Sequence, residues 1–192
     1  MRILLQQKGF EALKLSTGGF DRHVCLTGMP GAGKSWVGKE LSVQLEVPWV
    51  DLDIEIQLRQ NKSISEIFNQ CGEGYFRIIE TELLEEFLES KTPSVISLGG
   101  GTVISDINRS ILKRDAWIVY LRAGSGTLYE WLKDDDSRPL LRGNLQLRIE
   151  QLTKERDPIY RYLADIVLDM DSIDAIEASK RVVAMLSSLA RV

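Results

Sequence analysis

The chain has 192 residues, of which 44% are hydrophobic and 27% are charged, a balance that suits one compact domain with an apolar core. Its 24 basic and 28 acidic side chains give a net charge of −4, which argues against a general nucleic-acid binder because such proteins carry a basic surplus. No apolar run approaches the roughly 20 residues that a membrane span needs. We therefore expect a cytoplasmic protein without nucleic-acid or membrane partners.

Short apolar segments alternate along the chain with longer amphipathic ones, a pattern typical of an α/β fold with a parallel sheet. The predicted strands are His23–Thr27, Trp49–Leu52, Ser94–Leu98, Trp117–Leu121 and Ile166–Met170. The predicted helices are Lys34–Leu45, Ile54–Arg59, Glu73–Ser90, Asp106–Arg114, Ser125–Lys133, Gln146–Arg156 and Ile173–Leu189, with one more helix opened by the capping box at Ser63. We expect a three-layer α/β/α domain around a five-stranded parallel sheet.

Some segments fall outside this alternation. Residues 1–20 precede the first strong element, and we interpret them as an extension of a single domain that spans 21–192. Residues 134–145 are polar and contain a proline and a glycine, which predicts a mobile lid. Cys25 and Cys71 have no metal-like spacing and are expected as reduced thiols, and His23 is expected to be exposed at the start of the first strand. Ser125 is the predicted N-cap of its helix.

One motif predicts phosphate binding. Residues 28–35 match G-x-x-x-x-G-K-[ST] at every fixed position and lie between a predicted strand and a predicted helix. Glycines let the backbone wrap an anion, Lys34 is suited to the β- and γ-phosphates, and the Ser35 hydroxyl is suited to Mg²⁺. The candidate ATP-binding residues are Gly28, Gly31, Ala32, Gly33, Lys34 and Ser35. The loop predicts binding of Mg²⁺ and ATP.

The P-loop alone leaves several enzyme classes open. A GTPase needs a guanine-reading N-K-x-D motif, and the nearest match, residues 61–64, lacks the aspartate and does not follow a strand. Larger ATPases need a longer chain. The best class is therefore a small-molecule kinase.

Three further clusters predict an acceptor site. Asp51 and Asp53 end the second strand, where alternation would turn both carboxylates toward the cleft, one for Mg²⁺ and one for an acceptor hydroxyl. An N-cap pair for the next helix is the alternative. Arg77 follows Gly72-Glu73-Gly74-Tyr75-Phe76, and it could bind an anion or pair with a neighbouring glutamate such as Glu80. The Gly99–Gly101 triplet lets backbone amides approach a ligand.

These clusters, with R-P-L-L at residues 138–141 and R-x-P-x-Y at residues 156–160, resemble shikimate kinase over residues 22–170. Shikimate kinases transfer the γ-phosphate of ATP to the 3-hydroxyl of shikimate in aromatic amino-acid synthesis. The resemblance implies that this chain has the same P-loop kinase fold, the same activity and the same two substrates, and we expect a monomer. The alternatives are a related kinase for another small hydroxy or sugar acid, and a non-catalytic nucleotide-binding protein on the same fold.

The resemblance also implies roles for the acceptor residues. Asp53 resembles the carboxylate that binds the shikimate hydroxyls and is the candidate base. Arg77 and Arg156 resemble the pair that grips the shikimate carboxylate, a task that suits planar guanidinium groups. Gly100 resembles the glycine whose N–H meets the substrate. The implied acceptor-binding set is Asp53, Arg77, Gly99, Gly100, Gly101 and Arg156.

The donor roles follow the same resemblance. Asp51 resembles the partner that reaches Mg²⁺ through water, beside Ser35, and Arg138 resembles the lid arginine that reaches ATP and the transferring phosphoryl group. The implied catalytic set is Asp53, Lys34 and Arg138. One position departs from the family, because Trp131 stands where an arginine against adenine is frequent. Its indole could stack on adenine or pack in the helix core.

Overall fold

Five strands and seven α-helices make up the described part of the chain, which comprises residues 22–134 and 144–189 of the computed structural model. The strands are β1 (His23–Thr27), β2 (Trp49–Asp51), β3 (Val95–Ser97), β4 (Ala116–Arg122) and β5 (Ile166–Asp169). The helices are α1 (Lys34–Leu45), α2 (Leu52–Gln60), α3 (Ile64–Leu88), α4 (Asp106–Asp115), α5 (Ser125–Leu132), α6 (Leu145–Leu163) and α7 (Ala175–Leu189), with a 3₁₀ turn at Thr102–Ile104. The predicted extension at 1–20 and residues 135–143 of the predicted lid lie outside these residues.

The strands form one parallel sheet in the order β2-β3-β1-β4-β5, which confirms the predicted fold. All five residues of β1 are buried, as expected for a central strand covered by helices on both faces. From β1 the chain continues to β2 and β3, which lie on one side of β1 in the sheet, and then to β4, which lies on the other side. The direction of the strand order therefore reverses at the carboxyl end of β1. Ligands bind at such points in open parallel sheets.

Local sequence explains where α2 and α3 begin. The Asp51 side chain caps α2, and Ser63 forms the predicted capping box with Glu66 at the start of α3. Gly72 lies inside α3 with φ 82° and ψ 166°, so it separates two helical segments at the point where the sequence predicted two helices. The predicted cap at Ser125 is wrong. Gly124 is the N-cap of α5, and its N–H donates to Asp171 instead.

The end of α6 also differs from the prediction. The helix was expected to stop at Arg156, but it continues through Pro158 to Leu163. A proline inside a helix removes one backbone hydrogen bond at a cost of about 3 kcal/mol. Tyr160 and Leu163 lie beyond the proline and are buried in the core, so their packing offsets that cost.

His23 is buried, and the expectation of an exposed histidine is wrong. Its exposed fraction is 5%, because β1 is a central strand that pairs with β3 and β4. The ring Nε2 donates to the Ser90 carbonyl at 3.1 Å, and Nδ1 accepts from the Ser94 hydroxyl at 2.9 Å. Both ring nitrogens are therefore satisfied inside the fold.

None of the helices in residues 22–134 and 144–189 combines the length and apolar character needed to cross a bilayer.

The two cysteines should react very differently with thiol reagents. Cys25 is fully buried in β1, and burial raises the pKa of its thiol, whereas Cys71 is exposed on α3. Titration of the native protein with an aromatic disulfide reagent should modify Cys71 rapidly and leave Cys25 intact. Both thiols should react after unfolding in urea. Equal labelling of both in the native state, read by peptide mass spectrometry, would contradict this fold.

Candidate active site

A pocket of about 810 Å³ lies at the carboxyl ends of β1, β2 and β3. Most of the residues predicted for ATP, the metal or the acceptor line it: Gly31, Gly33, Lys34, Ser35, Asp51, Asp53, Arg77, Gly99, Gly100, Gly101 and Arg156. Gly28 and Ala32 do not line it, and Arg138 lies outside the described residues. Residues from both predicted half-sites therefore share one cavity.

The P-loop has the backbone geometry that an anion cradle needs. Gly28 has φ 146°, and a Cβ there would lie 2.5 Å from the Leu121 carbonyl oxygen, so no side chain fits. Gly33 has φ 81° and is the N-cap of α1, where no side chain caps the helix. A helix start without a side-chain cap is a position where a phosphate can bind.

The Lys34 ammonium lies over this loop. It donates to the carbonyls of Gly28 at 3.0 Å and Met29 at 2.9 Å. The positive charge is therefore held beside the cradle by the backbone of the loop itself.

A chain of hydrogen bonds connects α1 to the sheet. The Ser97 hydroxyl donates to the Lys34 carbonyl at 3.1 Å and accepts from Trp49 Nε1 at 3.0 Å. Gly38 leaves the room for this contact, because a Cβ there would lie 2.5 Å from Trp49 Nε1. The contact fixes the start of α1 against β2 and β3, the strands that carry Asp51 and the Gly99–Gly101 turn.

Asp51 uses its two carboxylate oxygens differently. Oδ1 accepts from the amides of Asp53 at 3.1 Å and Ile54 at 3.3 Å, and Oδ2 accepts from the Ser35 hydroxyl. The expectation that Asp51 and Asp53 both lie on β2 and point to the same side by strand alternation is wrong. The cap ends β2 at Asp51, and Asp53 lies in the first turn of α2. Both side chains still line the pocket.

The contact between Ser35 and Asp51 fits a Mg²⁺ site. Both groups present oxygen, and Mg²⁺ is commonly held by one or two carboxylates together with substrate phosphates. Within the described ranges, no group of three or more histidine, cysteine or acidic side chains could hold a metal ion without other ligands. The donor set thus suits a cation that arrives with a nucleotide.

Arg77 projects from α3 and is held by two glutamates. Its Nη1 donates to Glu80 at 2.7 Å, and its Nη2 donates to Glu73 at 2.8 Å. Glu80 is fully buried and also accepts from the Thr102 hydroxyl at 2.6 Å. Burial by itself would lower the pKa of Arg77, but Glu80 and Glu73 outweigh it and the pKa is raised. The interpretation of Arg77 as the partner of a neighbouring glutamate is confirmed. The side chain also lines the pocket, and anion binding stays a prediction.

Arg156, on α6, has one buried donor without a partner. Only 5% of the residue is exposed, and Nη1 donates to the Gly100 carbonyl at 3.2 Å. No described residue accepts a hydrogen bond from its Nε, which is also buried. Buried polar groups are normally satisfied, and buried cations are normally paired. A buried guanidinium that lines the pocket and donates to a neutral carbonyl therefore points to an anionic ligand.

The glycine turn lines the same pocket and has two amides without an acceptor in the described residues. The Thr102 amide donates to the Gly99 carbonyl at 3.1 Å, which closes the turn. Neither the Gly100 nor the Gly101 amide donates to another atom of the described residues. A Cβ on Gly101 would collide with the Arg77 guanidinium. A larger residue at position 101 would therefore force the Arg77 guanidinium to move.

An apolar wall completes the pocket, and the sequence reasoning did not identify it. The rings of Phe68 and Phe76 lie 4.9 Å apart between centroids, and both residues line the cavity. From the sequence, Phe76 was named only as the residue before Arg77, and that position was the available signal.

Trp131 is 45% exposed on α5, so the alternative of a core residue is wrong. Its neighbour Leu132 packs against the P-loop, where a Cβ on Gly31 would lie 2.7 Å from the leucine side chain. Trp131 thus precedes, in sequence, a residue that packs against the P-loop.

A P-loop after β1, two aspartates after β2 and two arginines around one cavity define a small-molecule kinase with an anionic acceptor. The family model for shikimate kinase matches residues 30–187. The chain belongs to the shikimate kinase family.

Curated relatives agree with this membership. A shikimate kinase of Aromatoleum aromaticum is 42% identical over 147 residues, which cover 76% of this chain and 83% of the relative. A shikimate kinase of Nitrosospira multiformis is 41% identical over 148 residues, covering 77% of this chain and 75% of the relative. The predicted family and activity are confirmed by these relatives.

Solved structures support the same conclusion. The shikimate kinase of Acinetobacter baumannii in complex with shikimate superposes with a TM-score of 0.84 at 31% identity, covering 88% of this chain and 94% of the other. The shikimate kinase of Aquifex aeolicus gives a TM-score of 0.77 at 34% identity, with coverages of 88% and 98%. A gluconokinase of Sinorhizobium meliloti, at 16% identity and a TM-score of 0.60, shares the fold alone.

Gly101→Ala should damage the site, because the new methyl group would displace the Arg77 guanidinium from its place beside Glu80. We expect the KM for the acceptor to rise about tenfold or more, with a smaller change in the KM for ATP. Steady-state kinetics measures both values. Gly126→Ala is the matched control, since a Cβ there meets nothing within 4 Å. Equal kinetics for the two variants would show that Gly101 does not need to be small.

Proposed function

We propose that the protein transfers the γ-phosphate of ATP to the 3-hydroxyl of shikimate, which yields shikimate 3-phosphate and ADP, with Mg²⁺ as the metal. The observation that carries the proposal is the buried Arg156 guanidinium, whose Nε has no partner among the described residues and which lines the same cavity as the P-loop. A carboxylate on a small acceptor would pair with the charge of this guanidinium. Family membership names the acceptor, and the pocket supplies groups that suit its chemistry.

The donor half is assigned to the P-loop. The amides at the start of α1 bind the phosphates, and Lys34 moves its ammonium from the loop carbonyls to the β- and γ-phosphates. Ser35 and Asp51 would hold Mg²⁺, which when bound offsets the charge of the phosphate oxygens. The Trp49–Ser97 hydrogen bond keeps this half aligned with the acceptor half.

The acceptor half is assigned to three separate elements. Arg77 and Arg156 bind the carboxylate, the Gly100 and Gly101 amides meet polar atoms of the acceptor, and the phenylalanine wall packs against its ring. Asp53 binds the 3-hydroxyl and accepts its proton as the oxygen forms a bond to the γ-phosphorus. The bond from that phosphorus to the β–γ bridging oxygen breaks, and ADP leaves with the electron pair.

Some inferences rest on the resemblance alone. The role of Arg138 at the transferring phosphoryl group concerns a residue outside the described ranges. The single domain at 21–192, the monomeric state and the cytoplasmic location likewise stay predictions. Light scattering after size-exclusion chromatography tests the oligomeric state.

Two alternatives make different predictions for a substrate panel. A kinase for another hydroxy or sugar acid would form ADP with that acid and not with shikimate. A non-catalytic nucleotide-binding protein would bind ATP without turnover. Against the second, Lys34 and Asp53 both line the pocket.

Asp53→Asn should remove most of the turnover, because an amide cannot accept the proton of the hydroxyl. In a coupled assay with Mg²⁺, ATP and shikimate, we expect kcat to fall by roughly 10²-fold or more. ATP binding, measured by calorimetry, should stay at the wild-type level. Asp115→Asn is the control, since that aspartate forms an ion pair with Arg114 on α4 away from the pocket. Wild-type turnover in Asp53→Asn would remove the residue from the proposed mechanism, and absence of shikimate-dependent ADP in the wild-type protein would contradict the proposed reaction.

Arg156→Lys tests the proposed carboxylate site. Lysine keeps the charge but loses the planar donors, so the KM for shikimate should rise by roughly tenfold or more. The control is Arg161→Lys on the same helix, whose side chain pairs with Asp157 outside the pocket and should leave the KM unchanged. If both variants have the wild-type KM, Arg156 does not bind the acceptor.

A further inference from the structure

Tyr160 is buried behind the acceptor site and has no role in the proposed chemistry. It projects from α6, its exposed fraction is 0%, and it does not line the pocket. Its hydroxyl donates to the Gly100 carbonyl at 2.5 Å. A buried side chain thus reaches the turn that presents amides to the acceptor.

The same carbonyl also accepts from Arg156. The Nη1 atom lies 3.2 Å from the Gly100 oxygen, and Tyr160 follows Arg156 by four residues, so both side chains leave the same face of α6. A carbonyl oxygen has two lone pairs, and here both receive a donor. Arg156 and Tyr160 therefore both hold the Gly100 carbonyl. The Nε of Arg156 has no partner in the described residues.

Holding this carbonyl sets the direction of an amide. A trans peptide points its C=O and its N–H in opposite directions, and no peptide bond of the described residues is cis. Because the Gly100 oxygen points toward α6, the N–H of Gly101 points away from α6. Gly101 lines the pocket, and its amide has no acceptor among the described residues.

The tyrosine is itself held in place. Its ring lies 5.0 Å from the ring of Tyr120 on β4, between centroids. The Tyr120 hydroxyl donates to Asp157 at 2.7 Å, and Arg161 donates to the same carboxylate at 2.6 Å. Burial raises the pKa of Tyr160 to about 12, so its hydroxyl stays a donor at any ordinary assay pH.

We propose that Tyr160 is a positioning residue for the acceptor, whose hydroxyl fixes the Gly100–Gly101 peptide so that the Gly101 amide and Arg156 face the substrate. The proposal rests on the proposed function, because the acceptor is taken to be shikimate. It extends that function to a residue that never touches the ligand. Tyr160 would control acceptor affinity without contributing to the bond-breaking step or to ATP binding.

The test compares Tyr160→Phe with Tyr120→Phe. Each change removes one hydroxyl from the same buried aromatic pair, but only Tyr160 contacts Gly100. For Tyr160→Phe we expect the KM and the calorimetric Kd for shikimate to rise about five- to tenfold. A rise of this size corresponds to the loss of one neutral hydrogen bond. The KM for ATP and kcat should stay within about twofold of wild type. Tyr120→Phe should leave all of these values near wild type, although both variants should lower Tm.

A third variant carries p-aminophenylalanine at position 160, which restores an N–H donor at nearly the same place. Its KM for shikimate should lie closer to wild type than that of Tyr160→Phe, and it tests the proposal even if the phenylalanine variant does not fold. Unchanged acceptor affinity in Tyr160→Phe, equal losses in both phenylalanine variants, or an equal rise in both KM values would overturn the proposal. Wild-type protein that neither binds nor phosphorylates shikimate would overturn the proposed function instead.

Discussion

The hydrogen bonds of β1 to β3 on one side and to β4 on the other determine where every part of the site lies. Leu26 pairs with Ser97, and Thr27 pairs with Tyr120, so the P-loop leaves β1 between the ends of two neighbouring strands. The P-loop and the glycine turn then come into contact, since a Cβ on Gly100 would lie 2.9 Å from Pro30. The register of the sheet therefore places the P-loop, proposed to hold the phosphate donor, beside the turn proposed to hold the acceptor.

Charge at the acceptor end is distributed unevenly, although the chain as a whole carries −4. Arg77 is paired with two glutamates, one of them fully buried, so its charge is compensated and its position is fixed. Arg156 has a backbone carbonyl and a donor with no partner in the described part of the chain. The cost of leaving a buried guanidinium only partly satisfied falls when an anion binds. That difference supports the proposal that Arg156 binds the carboxylate of the acceptor.

Much of the fold and the nucleotide half could be predicted from the sequence, because both depend on local signals. The strand before the P-loop, α1 and the capping box of α3 follow from apolar runs, glycines and a cap within a few residues. Most of the failures depend on distant contacts, whereas the one at Asp53 depends on a local helix cap. His23 is buried because β1 is central, α6 continues past Pro158 because Tyr160 and Leu163 pack in the core, and Asp53 lies on a helix because Asp51 caps it. The resemblance supplied the acceptor residues, but not the phenylalanine wall or the contact from Tyr160 to Gly100.

The proposed acceptor site draws on elements that are far apart in sequence, and α6 matters most among them. This one helix supplies the arginine proposed to bind the carboxylate and the tyrosine that holds the glycine turn. Recognition of the acceptor then depends on how α6 packs against the glycine turn. The P-loop belongs to β1 and α1 and does not require that docking. A fold built this way can change its acceptor by altering α3, the turn and α6 while its phosphate donor stays the same.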